Sequence, residues 1–256
     1  MNLVPNETAP ALEKGDLMHK MLEKFYNTPK VSSDNEFSKI ILDIMNFGRH
    51  YAGTSGNLDI KDIELVTRVF RDYAMNYRFE NMNVEAVELP FAKILYEDTD
   101  IRIIIEGTYD ILGSNPQTSY VMDHKTKSSD TAPVRLNNQF QCYAWASERR
   151  ILIVNSILLK VGESDEKRFK RQVFDYPPEL IKEWVEATTY YAIELSKLAD
   201  RNYYPPDFTS CKLYGMCQYY KICEQPPNLR MIEVEQNYHV EEAYDKNRFE
   251  LKKEGE

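Results

Sequence analysis

The sequence predicts an α/β (α+β) domain, with a mixed central β-sheet flanked by helices, an N-terminal helical insert and a C-terminal segment that bears cysteines. Three observations predict it. Apolar residues recur at helical spacing through the first third of the chain and again from Pro178 onward. Runs of strand length and strand composition fill the span between residues 84 and 176. One helical pattern, residues 136–149, falls among those strands, and the order helix, helical insert, sheet, helix, strands, helix is that of a mixed sheet with helices around it.

Residues 10–26 read as a helix, because Leu17, Met18, Met21, Leu22 and Phe25 make an apolar stripe at helical spacing. A polar loop over 27–35 follows. Two more amphipathic helices, 36–51 and 60–77, are split by Gly53-Thr54-Ser55-Gly56-Asn57, and the insert they form spans about residues 34–79. Residues 84–89 and 91–96 read as strands, and 101–112 as a longer one, apolar at Ile101, Ile103, Ile104 and Ile105. Gly113-Ser114-Asn115-Pro116 is turn chemistry, and 120–125 is the next strand. Strands are expected at 151–160 and 169–176 around a charged turn. A long helix is expected over 178–200, with Pro178 at the start where helices tolerate it. A single domain of residues 1–227 is expected, with a charged tail over 228–256.

A chain of 256 residues with 43% hydrophobic content is long enough for a sizeable core. The net charge of −9 argues against a body coated in basic patches, but leaves room for a locally basic cleft. Aromatic residues make up 12%, largely from 18 tyrosines, which suit either base stacking or, more commonly, core edges. No apolar run reaches membrane length, and Met1-Asn2-Leu3-Val4-Pro5-Asn6-Glu7 is not a signal peptide. A cytoplasmic protein with no membrane partner is expected, so its four cysteines do not suggest disulfides.

The chemistry concentrates in Gly107-Thr108-Tyr109-Asp110 and, thirteen residues after Asp110, Asp123-His124-Lys125. Strand alternation puts Asp123 and Lys125 on one face and His124 on the other. If the two strands form a hairpin, Asp110 lands near residues 121–123 and the carboxylates converge. Two acids at short range repel unless a cation lies between them, and hard oxygen ligands suit Mg²⁺ or Mn²⁺, which promote phosphodiester hydrolysis. Lys125 is suited to position water or to neutralise developing charge. The bland alternative is a surface hairpin with ordinary salt bridges. Gly15 and His19 share a helix face four residues apart, as do Gln139 and Tyr143. The first pair offers close approach and an imidazole ligand, the second an amide and a phenol; a structural histidine and a polar stripe are the alternatives.

Gly15…His19, Gly107…Asp110, Asp123…Lys125 and Gln139…Tyr143, in this order, resemble the PD-(D/E)XK nuclease superfamily. Within it, they look most like the RecB-type exonucleases, which include AddAB nuclease domains, CRISPR-associated adaptation nucleases and phage relatives. The likeness spans about residues 11–223. It implies a restriction-endonuclease-like core of sheet flanked by helices. It implies that His19, Asp110, Asp123 and the backbone carbonyl of His124 bind the metal, that Lys125 serves catalysis, and that Gln139 and Tyr143 support the site.

Cys211, Cys217 and Cys223 are evenly spaced, and thiolates in a cytosolic protein select iron–sulfur or zinc. RecB-type relatives with an iron–sulfur staple carry a similar triplet, usually with a fourth cysteine before the first motif. Here none precedes His19, and Cys142 is expected to be a buried apolar residue. A [4Fe–4S] cluster with an unidentified fourth ligand is expected, ahead of zinc or an empty triplet.

Candidate phosphate contacts are Lys127, Arg135, Arg149, Arg150 and the basic run from Lys167 to Arg171. The run Lys167-Arg168-Phe169-Lys170-Arg171 reads first as a solvated hairpin. Tyr214, Tyr219 and Tyr220 are candidates for stacking on single-stranded bases. The expected function is a Mg²⁺/Mn²⁺-dependent DNA exonuclease acting on single strands or duplex ends in recombination, repair or phage DNA metabolism, with a helicase or recombination protein as partner. The rivals are a non-catalytic DNA-end or partner-binding module and a CRISPR-adaptation-type nuclease.

Overall fold

The helical spacing near the N-terminus produces three helices. In the computed structural model, which describes residues 3–6, 10–55, 58–129, 132–201, 208–212 and 216–240, a short strand β1 (Leu3–Pro5) precedes α1 (Pro10–Asn27), α2 (Asp34–Ser55) and α3 (Ile60–Asn76). Leu17, Met18, Met21 and Leu22 of α1 are buried against Phe37, Ile41 and Ile44 of α2 and Val66, Val69, Phe70 and Tyr73 of α3. Each such fully buried side chain contributes roughly 1.5–3 kcal/mol. Asp59 caps α3 by accepting from the Asp62 N–H, which satisfies one of the unpaired donors of the first turn.

Five strands follow: β2 (Asn83–Glu97), β3 (Arg102–Ser114), β4 (Ser119–Lys127), β5 (Ile151–Leu158) and β6 (Phe169–Asp175), in the order β2-β3-β4-β5-β6. Only β4 and β5 are parallel neighbours. A parallel pair needs a crossover, and α4 (Asn138–Ser147) is that crossover. The helices α1 to α3 share a core with Ile157 and Phe169, while Tyr109, Val121, Phe140, Tyr143, Leu152, Val154 and Phe174 form a second one around α4. The short α5 (Asp165–Arg168) joins β5 to β6, and α6 (Pro178–Asp200) brings Leu180 and Ile181 to the second core.

The described residues fall into two compact units, residues 10–189 and residues 3–6 with 190–240. In the second, β1 pairs antiparallel with β7 (Tyr238–Val240), after a 3₁₀ turn at Phe208–Lys212, α7 (Tyr220–Glu224) and α8 (Arg230–Asn237). The expected tail therefore carries a helix and a strand as far as Val240; residues 241–256 lie outside the described ones. No helix among the described residues is long and apolar enough to cross a membrane.

Two local expectations change. Residues 84–89 and 91–96 are one continuous strand, with Pro90 opposite Thr108. β2 is an edge strand, where a missing N–H is tolerated. The hairpin turn lies at residues 115–118 rather than 113–116. Asn115 closes it, its side chain accepting from the N–H groups of Gln117 and Thr118.

Candidate active site

β3 and β4 pair from Ser114↔Ser119 to Ile111↔Met122, and the ladder stops there. The next residues on the two strands are Asp110 and Asp123. Beyond the last pair, the His124 N–H meets the Asp110 side chain instead, donating to Oδ2 at 2.6 Å. β4 stays rigid through this point because its other edge remains paired with β5, as Asp123↔Val154, His124↔Asn155 and Lys125↔Ser156. The parting of β3 from β4 is what opens a site in the middle of a sheet.

Asp123 is 1% exposed. Lys125 Nζ donates to its Oδ1 at 3.1 Å and lies 3.0 Å from its Oδ2. The same ammonium donates to Gln139 Oε1 at 2.8 Å. Gln139 Nε2 donates to the Tyr143 hydroxyl at 2.9 Å, and that hydroxyl donates to the Thr108 carbonyl at 2.9 Å. The chain ties Lys125 to β3 through α4. The N-terminus of α4 is set by Asn137, whose side chain accepts from the Gln139 N–H. Tyr143 also packs edge-on against Phe91 and at a tilt against Tyr109.

His19 arrives from α1, with Nδ1 3.7 Å from Asp110 Oδ2. The helix comes this close because Gly15 has no side chain: a Cβ there would lie 3.0 Å from Thr126 Oγ1. A further acid, which sequence reasoning missed, joins from β2. Glu88 lies between the pairs Val87↔Ile111 and Leu89↔Tyr109, so it faces Asp110 across the β2–β3 ladder. Its φ of 48° is in the left-handed region that glycine favours. Ligand atoms of His19, Glu88 and Asp110 all lie within 4.8 Å of one another, the one such group of three or more among the described residues. Burial raises the carboxyls of Asp110 and Asp123, to about 6 and about 7; their mutual repulsion adds to the shift at Asp123, and Lys125 opposes it at both. Burial and the neighbouring Asp110 also raise Glu88, and burial lowers His19.

The profile of the PD-(D/E)XK nuclease superfamily matches residues 2–224. The chain belongs to that superfamily. Among solved structures it is similar to the protein SSO0001, at 16% identity over 83% of this chain and 96% of the other with a TM-score of 0.41. It is also similar to an alkaline exonuclease (LHK-Exo) from Laribacter hongkongensis, at 15% identity over 75% and 97% with a TM-score of 0.36. A third likeness, to a phage related exonuclease from Haemophilus somnus 129PT, has 17% identity over 70% and 95% with a TM-score of 0.28. No curated protein sequence matches it significantly.

Divalent cations serve the chemistry of PD-(D/E)XK nucleases, and the donor set of this superfamily member fits one. Two carboxylates and an imidazole offer ligand atoms within 4.8 Å of one another, the charge of Asp110 reaches Asp123, and the buried Asp123 Oδ2 has no hydrogen-bond donor in acceptable geometry. A cation would relieve both the repulsion and the missing contact. His124, by contrast, has its ring on the opposite face of β4, stacked on Tyr26, as strand alternation requires. Burial holds that imidazole well below its usual pKa.

The other residues singled out from the sequence of this nuclease-superfamily chain lie as follows. Arg149 donates to the carbonyls of Gly113 and Tyr120 and pairs with Glu85. Arg150 pairs with Asp175, and Arg135 donates to the Asp175 carbonyl. Lys127 ends β4. The basic run is not a solvated hairpin. Arg168 is buried and paired with Asp72, and Arg171 pairs with Glu80 and stacks over Tyr77, because both reach back to the α3 side of the sheet. Cys142 is half-buried, with its thiol pushed up to about 11 by burial. Among the described residues, Cys211, Cys217 and Cys223 form no group with all ligand atoms within the 4.8 Å that suits a single ion; the thiolates of a four-iron cluster stand farther apart than that. The Cys217 N–H donates to the Cys211 carbonyl and the Cys223 N–H to that of Tyr219. Tyr219 stacks on Tyr238; Tyr214 lies outside the described residues.

Proposed function

We propose that this protein is a Mg²⁺- or Mn²⁺-dependent DNA exonuclease that hydrolyses phosphodiester bonds at DNA ends or in single strands. The observation that supports it most is the grouping of His19, Glu88 and Asp110 where β3 and β4 part, with the Asp123–Lys125 pair on the adjoining residues of β4. A divalent cation held by His19, Asp110, Asp123 and the His124 carbonyl, with Glu88 alongside, would supply Lewis acidity at the scissile phosphate and at water. Lys125 Nζ, gripped by Asp123 and Gln139, keeps a donor in place for the charge that develops on the phosphoryl oxygens. Tyr143 keeps Gln139 in the orientation that presents Oε1 to the lysine. The imidazole of His19, kept neutral by burial, has a lone pair to give. Exonuclease rather than endonuclease action draws its support from the RecB-type motif set. The setting in recombination, repair or phage replication, with a helicase or recombination partner, is part of the same proposal, as are DNA contacts at Lys127, Arg135, Arg149 and Arg150.

End-labelled single-stranded DNA, linear duplex and closed circles, incubated with Mn²⁺ or Mg²⁺ and with EDTA, test this. Linear substrates should shorten from their ends, circles should survive, and EDTA or Lys125→Ala should abolish cleavage while the fold persists. Cleaved circles would make it an endonuclease. A well-folded protein that binds DNA ends but cuts nothing would make it a binding module.

A further inference from the structure

On the face of β4 away from Asp123 and Lys125, the sheet buries a polar network. Asn155 on β5 and His124 on β4 are 0% and 3% exposed. Asn155 Nδ2 lies 2.7 Å from His124 Nδ1 and 2.8 Å from the Tyr73 hydroxyl, which in turn is 2.6 Å from the Tyr26 hydroxyl. Arg171 Nε donates to Asn155 Oδ1 at 3.2 Å, while its Nη atoms reach Glu80 and both tyrosines.

Chemistry fixes the directions. A guanidinium can only donate, so the amide atom facing Arg171 is the oxygen and the atom facing His124 is the NH₂. That nitrogen also only donates, so His124 Nδ1 accepts. The ring is therefore neutral with its proton on Nε2. His124 Nε2 is buried and has no hydrogen-bond partner. Buried polar networks of this kind are weak devices for stability alone, since apolar residues of the same volume serve as well or better. What this one does hold is His124, whose own N–H secures Asp110 on the other side and which lies between Asp123 and Lys125 in the chain.

We propose that Asn155 is a positioning residue for the cation site: by fixing the His124 imidazole as the Nε2–H tautomer, it holds the His124 backbone, and with it Asp110, Asp123 and Lys125, in the arrangement that takes the cation. This rests on the cation-dependent function proposed above.

Asn155→Asp is almost isosteric and keeps an acceptor for Arg171, but it cannot donate to Nδ1. Asn155→Ala removes the contact and leaves room for water. Tyr73→Phe removes the other acceptor of the Asn155 amide and leaves the amide–imidazole bond. The tautomer is read by ¹⁵N NMR of histidine-labelled protein, and Mn²⁺ affinity by calorimetry. The wild-type spectrum should show Nε2–H at His124, and Asn155→Asp should show Nδ1–H. Both Asn155 variants should bind Mn²⁺ about tenfold or more weakly, the usual loss when a residue supporting a ligand is removed. Tyr73→Phe should keep the wild-type tautomer and affinity. A wild-type Nδ1–H signal, wild-type affinity in either folded Asn155 variant, or an equal loss in Tyr73→Phe would overturn the role of Asn155. A wild-type protein that binds no Mn²⁺ would instead remove the cation site, and the proposal with it.

Discussion

Glu88 is the residue at which backbone and side chain are both held against their preferences. Its left-handed φ of 48° costs about 1–2 kcal/mol for a side chain with a Cβ, and its carboxyl is crowded by Asp110 and partly desolvated. Strain of this sort persists where the surroundings dictate it, and it gathers at functional sites. Glu88→Gly should therefore move two measurements in opposite directions. The metal-free protein should melt at a higher temperature, because glycine adopts this φ without cost and the acid pair loses a neighbour, while Mn²⁺ affinity should fall. A lower melting temperature in EDTA would show that Glu88 contributes packing that outweighs its strain. Sequence reading missed Glu88 for a physical reason. It is one of several glutamates along β2, and only the register Val87↔Ile111 and Leu89↔Tyr109 sets it against Asp110. Asp123 and Lys125 were legible because charged side chains at the end of an apolar strand contradict the composition around them. Asn155 and Arg171 were opaque for the opposite cause: an amide in a strand, or an arginine in a basic run, looks like solvated surface until its neighbours are known.

At the scale of elements, the site depends on how closely α1 lies on β4. Gly15 sets that distance, since any Cβ there meets Thr126 Oγ1 at 3.0 Å. Alanine needs only a small shift of the threonine side chain. A branched residue must push the helix away, and His19, one turn later on the same face, moves with it. Gly15→Val should lower stability by about 1–3 kcal/mol, as overpacking generally does, and should reduce cleavage further than Gly15→Ala. Denaturant melts and initial rates on the same samples check this, and activity equal to wild type in a destabilised Gly15→Val would uncouple the helix from the chemistry. The long elements were readable because periodicity accumulates over many residues: α1, α3 and α6 lie within a residue or so of their expected spans. What the sequence concealed was short or contradictory. β1 and β7 have three residues each, too few for any period, and Pro90 makes one long edge strand read as two. The regular spacing of Cys211, Cys217 and Cys223 fixes a ligand set only once the backbone between them is specified, and residues 213–215 lie outside the described ones.

For the whole molecule, the buried acids turn the site into a term in the folding equilibrium. The net charge of −9 counts Asp110, Asp123 and Glu88 as ionised, yet Asp110 and Asp123 hold their protons to about pH 6 and about 7 in the fold. An aspartate in the unfolded chain titrates near 4. Between these limits the native state binds more protons than the unfolded one, so stability falls as pH rises. The contribution of the pair is complete below about pH 4, declines through the window from 4 to 7, and is gone above it. A divalent cation at the proposed site would compete for the same oxygens, binding the ionised form and stabilising the native state in proportion to the logarithm of its concentration over its Kd. Protons and cation should therefore substitute for one another. In EDTA the free energy of unfolding should drop between pH 5 and pH 8. Saturating Mn²⁺ should recover much of that loss at pH 8 and add little at pH 5, where protons already occupy the carboxyls. Asp123→Asn removes one titrating group and the repulsion it exerts. It should make the EDTA curve flatter, raise metal-free stability at pH 8, shrink the Mn²⁺ response and abolish cleavage. Urea titrations of both proteins at the two pH values, with and without Mn²⁺, give all of these quantities in one set. A Mn²⁺ response that is equal at pH 5 and pH 8, and unchanged by Asp123→Asn, would mean that the cation binds elsewhere on the acidic surface and that the converging aspartates are not its ligands.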